Sequence, residues 1–213
     1  MIKLILVDQN NSVVNAWKAV FAEYEGLVEI QKGDLFEAKC DAIVSPANSF
    51  GFMDGGLDLK ISQHFGWHIQ QRVQEKIKRE HYGELLVGQA TIVETDDFEI
   101  PFVIAAPTMR VPMALTHSVN AYLAMKAALR VVLYGVLEDG EEVRTYVRRL
   151  AVPGLGTGVG QMEPRVSAWQ IRCAYDDVLY GKRGFPKSWF EAQQQHQNLY
   201  LEQNPTDLQW TKK

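Results

Sequence analysis

Cysteine is scarce in this 213-residue chain. Its two cysteines, Cys40 and Cys173, stand far apart and show none of the short spacings that bind zinc. Small secreted proteins that depend on disulfides carry a much denser set of cysteines. We therefore interpret the two thiols as small buried apolar groups in a reducing compartment, and we expect a cytoplasmic location.

Long apolar runs and an excess of positive charge are also missing. The N-terminal segment 1–8 has a short apolar core interrupted by Lys3, which is too short for a signal sequence or a membrane span and is typical of a buried strand. The formal net charge is −4. This balance argues against broad binding to nucleic acid or to an anionic membrane surface. The hydrophobic fraction of 46% and charged fraction of 23% are those of an ordinary globular domain.

What the chain does contain is a loop with a glycine at every second position, namely Gly154, Gly156, Gly158 and Gly160. A strand-like segment at 149–152 precedes this loop, and a helix predicted over 164–180 follows it. Successive backbone N–H groups in such a loop can form an anion-binding concavity ahead of a helix N-terminus. A side chain added at Gly156 is expected to fill the space of a bound phosphate.

Two common nucleotide-binding loops do not match this pattern. The phosphate loop of nucleotide triphosphatases needs a Lys after its glycines, and none occurs here before Lys182. The glycines also miss the third position of the dinucleotide fingerprint. A glycine-rich turn without a ligand remains the alternative at this point.

The order of predicted elements indicates an α/β fold. Apolar runs predict strands at 2–7, 27–31, 42–45, 90–93, 102–106 and 143–152. Apolar residues at helical spacing predict helices at about 12–24, 57–80 (as one helix or a pair broken near Gly66), 120–137 and 164–180. This alternation predicts three α/β/α layers with a mixed central sheet. We expect one domain at 1–184 and, at 185–213, a helix and arm packed on the same domain.

Four separated segments resemble one known family, the macrodomains. They are 33–36 (Gly-Asp-Leu-Phe), 41–48 (Asp-Ala-Ile-Val-Ser-Pro-Ala-Asn), 54–58 (Asp-Gly-Gly-Leu-Asp) and 153–160, the glycine loop. Each motif is weak by itself, but all four occur in the family's order and approximate spacing. The resemblance covers about residues 1–180 and implies a macrodomain-like fold that binds ADP-ribose.

The resemblance also implies roles for individual residues. Asp34 corresponds to the aspartate that accepts a hydrogen bond from the adenine amino group, with Leu35 adding a backbone contact. Asn48 corresponds to the asparagine that contacts the distal ribose. The other predicted ligand-binding residues flank or form two phosphate-facing loops: Ala47, Gly55, Gly56 and Leu57 near the first, and Gly154, Leu155, Gly156, Thr157, Gly158 and Val159 in the second.

Asp58 is the predicted catalytic residue, together with Asn48. It follows Asn48 by ten residues, the spacing at which the mono-ADP-ribosyl hydrolase branch carries its catalytic aspartate. A carboxylate beside the anomeric carbon can orient and deprotonate an attacking water. Backbone donors and helix ends can hold a pyrophosphate, so the resemblance implies neither a metal nor another cofactor.

The chain departs from the family pattern in three places. Ser45 and Pro46 stand where the family's Asn-Ala-Ala-Asn begins, and Asp54 replaces the first glycine of a triplet. A carboxylate at Asp54 would repel a pyrophosphate unless it points away or is neutralised. The aromatic residue that follows the second loop in the family falls at Gly160. Its candidate replacements are Phe50, Phe52 and Met109.

Each predicted site residue also has a plainer interpretation. Asp34 and Asn48 can cap turns, and Asp58 can be a first-turn acid that interacts with the helix dipole. His64 and His68 have the spacing of helical zinc ligands, but without a third ligand we interpret them as partly exposed helix histidines. Arg110 could approach a phosphate, but we interpret it as a surface arginine.

The sequence therefore predicts a protein that binds ADP-ribose and hydrolyses mono-ADP-ribose from a modified macromolecule without a metal. One alternative is a non-catalytic reader of ADP-ribosylated partners, favoured by Asp54 and the missing aromatic. Another is a hydrolase of free phosphorylated or acetylated ADP-ribose derivatives. The expected partners are ADP-ribose or an ADP-ribosylated macromolecule, with no membrane. Nucleic acid is expected only as a modified substrate.

Overall fold

The computed structural model describes residues 2–201, which form one mixed sheet of six strands. The strands are β1 (Lys3–Asp8), β2 (Val28–Lys32), β3 (Ala42–Ser45), β4 (Thr91–Glu94), β5 (Phe102–Ala105) and β6 (Arg149–Val152). Their order across the sheet is β2-β1-β6-β3-β5-β4. All neighbouring pairs are parallel except β4 and β5, which are antiparallel.

Helices cover both faces of this sheet. Within residues 2–201 the α-helices are α1 (Asn11–Val20), α2 (Gly56–Phe65), α3 (His68–Glu80), α4 (Asn120–Tyr134), α5 (Val143–Tyr146), α6 (Pro164–Tyr180) and α7 (Trp189–Asn198). The predicted alternative of two helices separated near Gly66 is confirmed, because Gly66 ends α2 with a φ of 103°. This value lies in a region that L-residues with side chains rarely adopt.

Alternate residues of each central strand enter two different cores. In β1, Leu4 and Leu6 pack with the side of the sheet that α1, α4 and α6 cover. Ile5 and Val7 face the opposite side, which α2 and α3 cover. Since strand side chains alternate between faces, a strand buried on both sides must be apolar throughout. The predicted three-layer α/β/α fold with a mixed sheet is confirmed.

The strand predicted at 143–152 is wrong over its first half. Residues Val143–Tyr146 form α5, and the strand begins only at Arg149. The alternating apolar residues of this segment resemble a strand, but Val143 and Val147 are both buried in the core beside α4 and β1. The backbone N–H groups of Arg148 and Arg149 each lie 2.7 Å from Asp41 Oδ2, which fixes where the strand starts.

The C-terminal region is attached to the domain through α7 and the residues just after it. Trp169 Nε1 donates to Asn198 O at 2.8 Å, and Leu199 is buried. The predicted division at 184 and the packing of the whole segment 185–213 stay predictions, since residues 202–213 lie outside the described part. Among the helices of residues 2–201, none is both long and apolar enough to cross a membrane.

Candidate functional site

A cleft of about 400 Å³ opens where the five parallel strands end. The segments that follow β1, β3, β5 and β6 form its walls, together with the turn after β2. Ligands of open α/β sheets bind at this edge. Every site residue predicted from the sequence lines the cleft except Leu155. Those brought together are Asp34, Leu35, Ala47, Asn48, Gly55, Gly56, Leu57, Asp58, Gly154, Gly156, Thr157, Gly158 and Val159.

Leu155 is instead fully buried in the core between the sheet and α6. Its carbonyl accepts a hydrogen bond from the Ser167 hydroxyl at 2.7 Å. This contact anchors the second glycine loop to the first turn of α6. An apolar side chain within a glycine loop indicates such an anchor more readily than a ligand contact.

The second glycine loop presents free backbone donors. Among residues 2–201, the N–H groups of Gly156, Gly158 and Val159 have no hydrogen-bond acceptor. Gly156 has a φ of 74°, and a Cβ there would lie 3.4 Å from Leu115, which is an ordinary contact. Since Gly156 itself lines the cleft, the expectation that a side chain there fills phosphate space stays a prediction. A Cβ at Gly158 would meet nothing within 4 Å.

The first glycine loop leads directly into α2. Its N-cap residue, Gly55, makes no side-chain cap, so the first N–H groups of α2 are left without a side-chain partner. Such N–H groups, with the positive end of the helix dipole behind them, attract anions. Two sets of backbone donors thus meet in one cleft.

Asp34 both lines the cleft and caps the turn after β2. Its Oδ1 accepts from Phe36 N at 3.1 Å, and its Oδ2 accepts from Gln9 Nε2 at 3.3 Å. The capping interpretation from the sequence therefore holds for one oxygen. The second oxygen and Gln9 together make a polar end of the cleft.

Asn48 organises the loop that it begins. Its Oδ1 accepts from the backbone of Phe50 at 3.1 Å and of Phe52 at 3.3 Å, and its Nδ2 donates to Phe52 O at 2.7 Å. Of the proposed replacements for the missing aromatic, Phe52 and Met109 line the cleft. Phe50 does not line it. Its ring packs instead against Arg110, whose guanidinium carbon lies 5.0 Å from the ring centroid.

Asp58 lies in the first turn of α2 and is only 8% exposed. The Ser45 hydroxyl, at the end of β3, donates to Asp58 Oδ1 at 2.5 Å. The other oxygen, Oδ2, has no partner among residues 2–201. Burial raises the pKa of the Asp58 carboxyl to about 6, and the Ser45 hydrogen bond opposes that rise. A carboxylate in this state can accept a proton near neutral pH.

Acidic residues outnumber basic ones in the cleft. Its carboxylates belong to Asp8, Asp34, Asp54 and Asp58, and Lys60 is the one basic residue among the described residues that line it. Asp54, the departure from the glycine triplet, is exposed. An anionic ligand must therefore rely on backbone N–H groups and helix ends more than on cationic side chains.

Asp8 and Ser45 are functional candidates that the sequence reasoning missed. Asp8 ends β1, and its Oδ2 accepts from Gly154 N at 3.1 Å, so it holds the start of the second glycine loop. Its position at the carboxyl end of a predicted parallel strand was a usable signal. Ser45 was noted only as a departure from the family pattern. Its role was missed because its contact with Asp58 joins two different elements.

Several side chains lie outside the cleft. Arg110 Nε donates to Glu84 at 2.6 Å, in agreement with a surface position. The His64 ring stacks on Phe36 at a centroid distance of 4.3 Å, and His68 Nε2 lies 3.7 Å from Asp96. Within residues 2–201, no group of three or more His, Cys, Asp or Glu side chains is arranged to hold a metal ion.

Known proteins share this sequence pattern and this fold. The Macro domain family matches residues 44–171. An uncharacterised protein of Aquifex aeolicus (strain VF5) is 33% identical over 141 residues, which is 66% of this chain and 76% of the relative. The macrodomain of Mycobacterium tuberculosis DarG has a TM-score of 0.56 at 21% identity and covers 70% of this chain and 89% of its own.

A variant of the Oceanobacillus iheyensis macrodomain, solved with ADPR (ADP-ribose), has a TM-score of 0.55 at 19% identity and covers 67% of this chain and 73% of its own. At such identities the solved structures establish a common fold. The family match spans more than half of the chain and includes the end of β3, all of α2 and the second glycine loop. The resemblance read from four short motifs is confirmed, and this chain belongs to the Macro domain family.

Proposed function

We propose that the cleft binds ADP-ribose. The observation that carries this proposal is that two separate sets of unpaired backbone donors meet in one cleft with Asp34 and Asn48. A pyrophosphate would lie across the glycine loops, with adenine toward Asp34 and the distal ribose toward Asn48. The Oceanobacillus iheyensis macrodomain solved with ADPR has the same fold, which supports this assignment.

Hydrolysis of mono-ADP-ribose from a modified macromolecule is the proposed reaction. Asp58 would accept a proton from water as the water oxygen bonds to the anomeric carbon. The bond from that carbon to the macromolecule breaks with its electron pair going to the macromolecule, and the proton taken by Asp58 passes to the released atom, which restores the carboxylate. The Ser45 hydroxyl holds one Asp58 oxygen, which leaves Oδ2 for the water. A pKa of about 6 keeps Asp58 mostly ionised at pH 7 while making it a better base than an ordinary aspartate.

A non-catalytic reader of ADP-ribosylated partners is the second candidate. Asp58 is largely buried and already bonded to Ser45, which limits its access to water. This feature suits binding without turnover. A hydrolase of free phosphorylated or acetylated ADP-ribose would use the same residues and differs only in its substrate. The modified-macromolecule partner and a cytoplasmic location stay predictions.

The test is single-turnover release of ADP-ribose from ADP-ribosylated protein, ADP-ribosylated oligonucleotide and free ADP-ribose derivatives. Asp58→Asn keeps an oxygen for Ser45 but cannot take the proton. We expect this variant to lose about 10²–10⁴-fold in rate and to keep its ADP-ribose affinity, measured separately by calorimetry. A chelator should change neither the rate nor the ADP-ribose affinity of the wild type.

Three outcomes separate the candidates. Turnover by Asp58→Asn at the wild-type rate would show that Asp58 is not the base. A wild type that binds ADP-ribose but releases none from any substrate would favour the reader. Turnover of the free derivatives alone would identify the second hydrolase class.

A further inference from the structure

Exposed apolar side chains surround the mouth of the cleft. We call this group the apolar collar and define it as Phe52, Val111, Pro112, Met113 and Val159. The exposed fractions of Phe52, Val111, Met113 and Val159 are 54%, 46%, 50% and 58%. Phe52, Pro112 and Val159 also line the cleft. The apolar collar is therefore continuous with the proposed ADP-ribose site.

The three loops that carry the apolar collar are hydrogen-bonded to one another. Ser49 N donates to Arg110 O at 3.1 Å, which joins the loop of Phe52 to the loop of Val111. Leu115 N donates to Gly160 O at 2.6 Å, which joins the same loop to the second glycine loop. These bonds hold the apolar collar as one surface, so a partner does not need to order it on binding.

The proposed ADP-ribose binding does not use Val111 or Met113, which do not line the cleft. A diphosphate and two riboses need hydrogen-bond donors, which the glycine loops and polar residues supply. Single exposed apolar residues are ordinary, but a cluster of them at the rim of a cleft marks an interaction site. The group attached to the distal ribose is the part of a substrate that must leave the cleft at its mouth.

Charge decides which class of macromolecule fits here. A nucleic acid would bring phosphates close to Asp54 and the other acidic residues of the cleft, where Lys60 is the one basic lining residue in the described chain. Arg110, next to the apolar collar in sequence, is already paired with Glu84. Nucleic-acid sites depend on Lys and Arg directed at phosphates. The apolar collar and its acidic surroundings instead fit a polypeptide that is neutral or basic.

We propose that the apolar collar binds apolar side chains that flank the ADP-ribosylated residue of a polypeptide substrate. This inference rests on the proposed function, because ADP-ribose in the cleft is what brings the polypeptide to the mouth. It narrows the partner from any modified macromolecule to a protein segment with apolar residues beside the modified one.

The test compares affinities for four probes on the full chain. Two are peptides that carry ADP-ribose on the same residue through a linkage that resists hydrolysis, one flanked by Leu and Phe and the other by Glu. The third is a single-stranded oligonucleotide modified with ADP-ribose, and the fourth is free ADP-ribose. We expect the wild type to bind the apolar-flanked peptide about tenfold or more tightly than the acid-flanked peptide.

The diagnostic variant is Val111→Ser with Met113→Ser. Both side chains are about half exposed and neither lines the cleft, so the fold and the affinity for free ADP-ribose should not change. The preference for the apolar-flanked peptide should fall by about fivefold to tenfold. Phe98→Ser is the matched control. Phe98 is fully exposed in the β4–β5 connection, at the opposite edge of the sheet from the cleft.

The results that would overturn the inference are specific. Equal affinity for the two peptides, or tighter binding of the oligonucleotide that depends on Val111 and Met113, would remove it. A dimer that the double variant converts to a monomer would instead make the apolar collar a self-interface. If free ADP-ribose binds but the peptides show no preference, only this inference fails. If free ADP-ribose does not bind, the proposed function fails and this inference with it.

Discussion

The Asp58 carboxyl lies in surroundings that favour its neutral form. Burial raises its pKa from an ordinary value of 3.8 to about 6, and the Ser45 hydrogen bond opposes this rise. The shift therefore depends on a lack of solvent rather than on a neighbouring charge. This distinguishes Asp58 from the surface ion pairs of this chain, such as Arg110 with Glu84, where the hydrogen bond to the partner is the main cause of the raised Arg110 pKa.

The raised pKa predicts how stability depends on pH. Between about pH 4 and pH 6 the folded chain keeps a proton on Asp58 that the unfolded chain releases, so the free energy of unfolding should fall as pH rises. Asp58→Asn removes this titration. Relative to the wild type, the variant should gain on the order of 2–3 kcal/mol between pH 4 and pH 7. Urea unfolding at a series of pH values measures the difference.

Substitutions at Ser45 provide the control for this prediction. Ser45→Ala removes the hydrogen bond that holds the pKa down, so the fall in stability with pH should become larger and extend to higher pH. Ser45→Thr keeps the hydroxyl, so its stability should depend on pH as that of the wild type does. Parallel stability curves for the wild type and Asp58→Asn would contradict the assigned pKa.

At the scale of elements, the glycines of the second glycine loop have different structural roles. Gly156 has a positive φ, which residues with side chains rarely adopt. Gly154 approaches Asp8, where an added Cβ would lie 2.8 Å from Oδ2. Gly158 has neither constraint, so its lack of a side chain leaves space in the cleft. Substitutions in one loop can therefore change either folding or binding.

Gly158→Glu should separate these effects. The variant should fold normally, because the new side chain meets nothing within 4 Å at its Cβ. Its carboxylate would oppose a diphosphate in the cleft, and a repulsion of about 4 kcal/mol at close range corresponds to at least a hundredfold loss of ADP-ribose affinity. Calorimetry measures the affinity, and the melting temperature reports the fold.

Gly184→Glu is the matched control. Gly184 also has open space at its Cβ and no positive φ, but it does not line the cleft. Its substitution should leave ADP-ribose binding unchanged. Normal binding by Gly158→Glu would mean that the second loop has a structural role only. Gly156→Ala, in contrast, should lower the melting temperature because of its positive φ.

At the scale of the whole molecule, the cleft exists because parallel strands deliver their carboxyl ends to one edge of the sheet. Asp8 ends β1, whereas Asn48 and Gly154 follow β3 and β6, and all three line the same cleft. A ligand that contacts all of these segments would connect elements from both halves of the sheet. Binding should therefore stabilise the whole fold rather than one loop.

ADP-ribose should raise the melting temperature of the chain. At a concentration a hundred times the dissociation constant, a ligand adds about 2.7 kcal/mol to the free energy of unfolding. For a chain of this size, that corresponds to roughly 5–10 °C. Differential scanning fluorimetry across a range of ADP-ribose concentrations measures the shift. Gly158→Glu should show no shift under the same conditions, and a flat response of the wild type would contradict ADP-ribose binding.

The amino-acid sequence by itself determined the layers and most elements of this fold. The bounds of β3 and α6 agree with the prediction, because a continuous apolar run marks the first and Pro164 and Gly181 mark the ends of the second. These are local signals, and local signals can be read without knowing which elements meet. The same holds for the glycine loops, whose spacing was enough to indicate a site.

Only the tertiary structure decided the features that depend on contacts between residues far apart in the sequence. It turned the first part of the expected strand at 143–152 into α5, because Asp41 fixes the start of β6 and the core takes Val143 and Val147. It also buried Leu155 and joined Ser45 to Asp58 across two elements. These outcomes follow from which side chains the fold brings into contact, and no pattern within a single segment contains that information.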